Sequence, residues 1–193
     1  MHPKIQEIAQ IVRSMKVDVT EDDILFRILD KWRWPKHYPW GDPSIEVIEE
    51  DGKKSRDFYE DGPEGGYVDS YKCIEKYHEG KTLILGSAQG LFRDTRKISD
   101  YLNEVHQRHC NINFYFGKGT KSTSFNSHSH EYAVLVKNIY GESEWIINDQ
   151  KVTLGNQDVI CFEYGTPHMV TEIKKPKLSM TCNLGRYDIY NQI

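Results

Sequence analysis

His128 and His130 stand two residues apart in SFNSHSHEYAVLV, and His168 follows in QDVICFEYGTPHMV. In an extended strand, residues i and i+2 share a face, about 7 Å apart along the chain. Two imidazoles at that spacing can grip one ion. A third ligand must come from another strand, and His168 is the candidate. Histidine suits iron, zinc, copper or nickel, and three protein ligands leave positions open for water or substrate.

The other five of the eight histidines carry no such pattern. His106 and His109 are not at the i, i+4 spacing of a zincin pair. His78 precedes Gly80 and fits the last turn of a helix, where a cation meets the helix dipole favourably. His2 and His37 lie in loop-like sequence. A nucleophile-elbow motif is absent, so Ser-His-Asp catalysis is not expected. Cys73, Cys110, Cys161 and Cys182 form no CxxC pair. They read as reduced, buried thiols rather than a zinc ribbon.

The elements that position the histidines are legible from periodicity. Ile5, Ile8, Ile11, Val12 and Met15 recur at helical spacing. Thr20 is an expected N-cap, with Asp23 as the acid of a capping box, before a second helix carrying Ile24, Leu25, Ile28, Leu29 and Trp32. KWRWPKHYPWGDP (31–43) reads as a rigid aromatic connector packed on the core, and 49–66 as a solvated loop or hairpin. A helix is expected over about 69–79 with Gly80 at its C-terminus, a strand over 82–85, a helix over about 94–109 and a strand over 111–116. From 120 to 184 the texture changes to six short strands near 132–139, 143–147, 151–154, 158–162, 168–173 and 177–183. Asn148-Asp149 supplies one hairpin turn. Short strands in such succession imply a sandwich or barrel, not a βαβ sheet.

The 193 residues suit one compact domain: an N-terminal helical region and connector (1–66), then a mainly β core (67–193). A net charge of −4 argues against a protein that coats nucleic acid. No apolar run approaches the ~18 residues of a membrane span. The amino terminus lacks a secretory pattern, so a cytoplasmic location is expected.

HxH followed by D-x6-G-x2-H resembles the two motifs of the cupin superfamily, and in particular its JmjC-type branch, the ribosomal-oxygenase-like group. His128 takes the first ligand position. Gly141 and Trp145 fall at the branch's spacing in GESEW, and Asp158, Gly165 and His168 align without gaps. Asn183, fifteen residues past His168, matches an asparagine beside the cosubstrate in some members. The resemblance covers about residues 67–184. It implies a double-stranded β-helix (cupin jelly roll) with the metal at its open end.

Two departures qualify what the resemblance implies. The branch's second ligand is an acid, and here it is His130. Glu131 points to the opposite face of a regular strand. The general cupin glutamate would fall at Val134 or Leu135, neither of which can ligate. Three neutral imidazoles leave Fe(II) with both charges uncompensated, which favours an anionic partner on the metal. The branch also places Lys or Arg at position 143 to pair the distal carboxylate of 2-oxoglutarate, and here that residue is Ser143. Lys118, Lys121, Lys137 and Arg186 are the candidates to compensate.

The resemblance thus implies a mononuclear non-haem Fe(II) oxygenase, with zinc or nickel able to take the site in a purified sample. His128, His130 and His168 would hold the metal, and Ser143, Thr181 and Asn183 would line the pocket. The cosubstrate is 2-oxoglutarate in a hydroxylase. The alternatives are a three-histidine dioxygenase that does not use it, a non-catalytic metal- or ligand-binding cupin, and a metal-dependent isomerase or epimerase. The expected partner is a small-molecule or peptide substrate, with no nucleic acid and no membrane. A homodimer is the base-rate expectation for assembly.

Overall fold

Ile5, Ile8 and Val12 form the buried stripe of α1 (Pro3–Ser14). Thr20 and Asp23 cap α2 (Glu21–Leu29) reciprocally, as their spacing predicts. α3 (Ser70–His78) begins at Asp69, whose carboxylate accepts from the amides of Tyr71 and Lys72. α4 spans Arg93–His106. The computed structural model describes residues 3–36, 43–62, 65–106, 110–120 and 122–184. His2, His37, Trp40, His109, Lys121 and Arg186 lie outside the described residues, as do the side chains of Trp32 and His106. Of the aromatic connector, Trp34 is fully buried and donates its indole N–H to the Arg27 carbonyl at 2.9 Å. It packs as core, as its sequence suggests.

Ten strands follow among the described residues. β1 (Ser44–Ile48), β2 (Lys54–Ser55), β3 (Thr82–Gly86), β4 (Ile112–Gly117), β5 (Val134–Tyr140), β6 (Ser143–Ile147), β7 (Gln150–Leu154), β8 (Val159–Phe162), β9 (His168–Ile173) and β10 (Lys177–Asn183) build two antiparallel sheets. The larger runs β2-β1-β3-β4-β10-β5-β8 and the smaller β7-β6-β9. The fold is mainly β, a double-stranded β-helix with flanking helices. The six strands expected after residue 120 are all present, within about two residues of their expected ends. β1 is the strand that periodicity alone misses, because five residues between a connector and a loop are too few to show a period. Asn148 and Asp149 both take positive φ (47° and 62°), which is the turn that lets β6 and β7 twist together.

Strand alternation then sorts the large sheet into two faces. Leu178, Met180 and Cys182 of β10 join Phe114, Phe116 and Leu135 in the main core, beneath the helices. Val134, Val136 and Phe162 point the other way and meet Trp145 and Leu154 of the small sheet. Lys137 lies on the outer face, where its buried amine donates to the Val12 and Arg13 carbonyls at the end of α1. Burial pushes that amine down to about 8. Cys73, Cys110, Cys161 and Cys182 are free thiols, and all but the half-buried Cys161 are buried.

Gly141 turns β5 into β6 with φ +84°, a conformation that L side chains rarely adopt. A Cβ there would collide with the carbonyl oxygen of Pro176. Gly141→Ala is expected to lower unfolding free energy by about 1–3 kcal/mol, read from urea titration.

Candidate metal centre

His128 and His168 sit opposite each other on neighbouring chain segments. The His128 amide donates to the His168 carbonyl at 3.1 Å, and the His168 amide returns the bond at 2.9 Å. This is one isolated antiparallel bridge, so the HxH segment is not the regular strand that its spacing suggests. The three imidazoles still converge. Their centroids lie 5.0 Å (128–130), 4.5 Å (128–168) and 5.1 Å (130–168) apart. One nitrogen from each comes within 4.8 Å of the others.

Which nitrogen is free follows from hydrogen bonding. His128 donates Nδ1–H to the Asn126 carbonyl at 2.9 Å, and His168 donates Nδ1–H to the Thr166 carbonyl at 2.9 Å. A carbonyl oxygen only accepts, so Nδ1 carries the proton and Nε2 keeps its lone pair. Both ligands reach back two residues for this bond. The His130 ring has no hydrogen bond among the described residues. It stacks on Tyr132 at 5.1 Å and 12°. His168 stacks on Phe162 at 4.3 Å and 19°. Burial, followed by the two neighbouring imidazoles, pushes His130 down to about 4. Burial also lowers His168. Both rings are thus neutral at pH 7 and offer lone pairs, which fits a transition-metal site with nitrogen donors.

The histidines open on a cavity of about 510 Å³. Thr181 and Asn183 line it. Ser143 does not. It is fully buried, and its hydroxyl accepts from the indole N–H of the cavity-lining Trp145 at 3.0 Å. Of the candidate compensating cations, the two among the described residues face elsewhere. Lys118 contacts His78 at 2.6 Å and Lys137 holds α1. Asp158 is a turn former that accepts from the Gly155 amide at 2.8 Å, as its position suggests.

The residue that sequence reasoning misses is Lys177. It is 3% exposed and lines the cavity. Among the described residues no carboxylate pairs with it, and its Nζ lies 5.0 Å from the Trp145 ring. Burial pushes its amine down to about 7. The signal was available: Lys177, Ser179, Thr181 and Asn183 alternate along β10 and all line the cavity. The described wall holds Lys54 and Lys177 but no Asp or Glu. Lys54 is neutralised by Glu46 at 2.7 Å, which leaves Lys177 as the uncompensated charge.

Comparison with family models gives no match, and comparison with curated proteins gives none. Among solved structures, the ribosomal oxygenase YcfD of Escherichia coli is similar over 93% of this chain and 48% of its own, at TM-score 0.59 and 12% identity. This chain therefore spans about half the length of that protein. The likeness shows the fold. A cupin superfamily protein of Desulfitobacterium hafniense (TM-score 0.36, 19% identity, 39% of this chain and 66% of that one) and KdgF of Halomonas sp. (0.36, 16%, 42% and 73%) overlap smaller parts. No described helix is long and apolar enough to cross a membrane.

Two outcomes follow for the site. A divalent metal is expected to raise the melting temperature of the unsubstituted chain but not of His168→Ala, read by thermal shift. The second concerns pH. The folded value of His130 lies below its unfolded value of about 6.5, so its contribution to stability is complete above pH 6.5 and is lost as pH falls towards 4. The metal-free chain should destabilise across that window, and His130→Gln should do so less.

Proposed function

We propose that this chain is a mononuclear non-haem iron oxygenase that uses 2-oxoglutarate as cosubstrate. The observation that carries this reading is Lys177: a buried lysine with no carboxylate partner among the described residues, in the wall of the cavity that the three histidines share. The support from fold is the likeness to a ribosomal oxygenase over nearly the whole chain.

His128, His130 and His168 would hold the ion. Bound iron would supply dioxygen activation. The protein's own part is positioning and charge. The carbonyls of Asn126 and Thr166 hold two rings by Nδ1, which keeps Nε2 directed at the ion. Three neutral imidazoles cancel none of the metal's charge, so an anion is favoured beside it. Lys177 would supply a second positive point in the cavity wall. A dicarboxylate satisfies both, and it relieves a lysine whose burial otherwise costs stability. The Trp145 ring is near both ends of the path, 5.0 Å from Nζ and 6.4 Å from the His168 ring. With Phe162, Val134 and Val136 it keeps that path apolar, which strengthens the charge pairing. Thr181 and Asn183 supply hydrogen-bonding groups on the same face. A small molecule or peptide side chain would occupy the remaining volume as primary substrate.

His130 in place of an acid favours a second reading, a three-histidine dioxygenase that binds its substrate directly on iron without 2-oxoglutarate. Turnover separates the two. Iron-loaded protein in air with 2-oxoglutarate is expected to release succinate and CO2. Oxygen uptake without succinate on a thiol, diol or diketone would establish the second reading, and neither activity would leave a binding protein.

Lys177→Met is expected to weaken 2-oxoglutarate binding by roughly 100-fold, read by calorimetry on Mn(II)-loaded protein. The anion needs the ammonium form, so affinity of the unsubstituted chain should be flat below about pH 7 and fall roughly tenfold per unit above it. The folded value of Lys177 lies below its unfolded value, so its contribution to stability is full only above pH 10 and is missing below pH 7. Lys177→Met should therefore raise the melting temperature at pH 6 by about 2–4 °C. A replacement that stabilises the fold while weakening binding marks a residue held for the ligand.

A further inference from the structure

We propose that Tyr132 is the positioning residue for His130, taking through its ring the role that backbone carbonyls take for the other two histidines. The inference rests on the metal reading above.

His128 and His168 are each fixed at three points: by the backbone bridge between them, by an Nδ1 hydrogen bond, and by a packed ring. The packed ring is Phe125, edge-on at 5.4 Å, for His128 and Phe162 for His168. His130 has only part of this. Its carbonyl accepts from the Gly165 amide at 3.0 Å, which places the backbone. Nothing among the described residues bonds its ring nitrogens, so neither tautomer nor ring rotation is set that way. What remains is Tyr132, two residues on, parallel to the imidazole within 12°. The tyrosine is itself anchored, because its ring packs on the inner cluster of Val134, Val136, Trp145 and Phe162. A flat face on an anchored ring limits how the imidazole can turn.

This arrangement suits an imidazole and no other ligand type. A carboxylate at position 130 has no ring to stack. Tyr132 and His130 should therefore be coupled, and the coupling should vanish when the ligand is an acid. Co(II) serves as the probe, because its visible spectrum reports ligand geometry independently of any activity. Titrations of the full chain are compared with Tyr132→Phe, Tyr132→Leu, His130→Asp and the double variant His130→Asp/Tyr132→Leu.

Tyr132→Phe keeps the ring and should bind Co(II) within about twofold of the unsubstituted chain, with the same spectrum. Tyr132→Leu should weaken binding by roughly 10-fold, the scale on which ligand-orienting groups act, and alter the spectrum. In the His130→Asp background the same replacement should change affinity less than about threefold. Equal losses in both backgrounds would mean that Tyr132 merely supports the local fold, and would overturn the inference while leaving the metal site standing. No loss in Tyr132→Leu would overturn it too. Failure of the unsubstituted chain to bind Co(II) would overturn the metal reading, and this inference with it.

Discussion

Two reciprocal backbone hydrogen bonds between His128 and His168 are the constraint on which the site depends. They bring together residues forty positions apart in the chain and set the separation of two imidazoles before any ion arrives. The bridge is short because the chain leaves it at once on both sides. His130 departs from strand geometry, and His168 enters β9 beside β6. Because the backbone holds the two ligands, their side chains need only be oriented. The carbonyls two residues upstream do this in the same way for both. Such a site is built by the fold and not by the metal.

Charge distribution is the second level of organisation. The large sheet separates an apolar outer face, packed under helices, from an inner face that carries polar groups on one strand. β10 holds this division in its alternation: Leu178, Met180 and Cys182 outward, Lys177, Ser179, Thr181 and Asn183 inward. The cavity lining holds no acid among the described residues, and its two lysines are not equivalent. Lys54 is neutralised by Glu46, whereas Lys177 meets only an indole face. A buried cation without a partner is costly. Under the proposed function, an anionic cosubstrate in the cavity would supply that partner.

Much of this was legible in the sequence, for physical reasons. The strands after residue 120 announce themselves because their two faces differ and turn residues bound them. Thr20 and Asp23 mark a helix start by chemistry that needs no tertiary contact. The HxH spacing and the later histidine single out the three imidazoles that the fold brings together. Ser143 is buried behind the Trp145 ring, whereas the buried lysine of the cavity lining stands on another strand, at position 177. Lys177 could have been found from its period-two relation to Thr181 and Asn183. The His128–His168 bridge could not, because pairing across forty residues leaves no local trace. Tyr132 was equally hidden. An aromatic beside a ligand reads as core until the ring geometry is known.

The central claim is that the three histidines and Lys177 form one site for a metal and a dicarboxylate. The most direct measurement is a crystal structure of the chain with Mn(II) and 2-oxoglutarate, grown without oxygen. One ion bound by Nε2 of His128, His130 and His168 is expected, with a carboxylate oxygen about 2.7–3.2 Å from Lys177 Nζ. An ion held by other residues, or a bound dicarboxylate that leaves Lys177 without a partner, would contradict it.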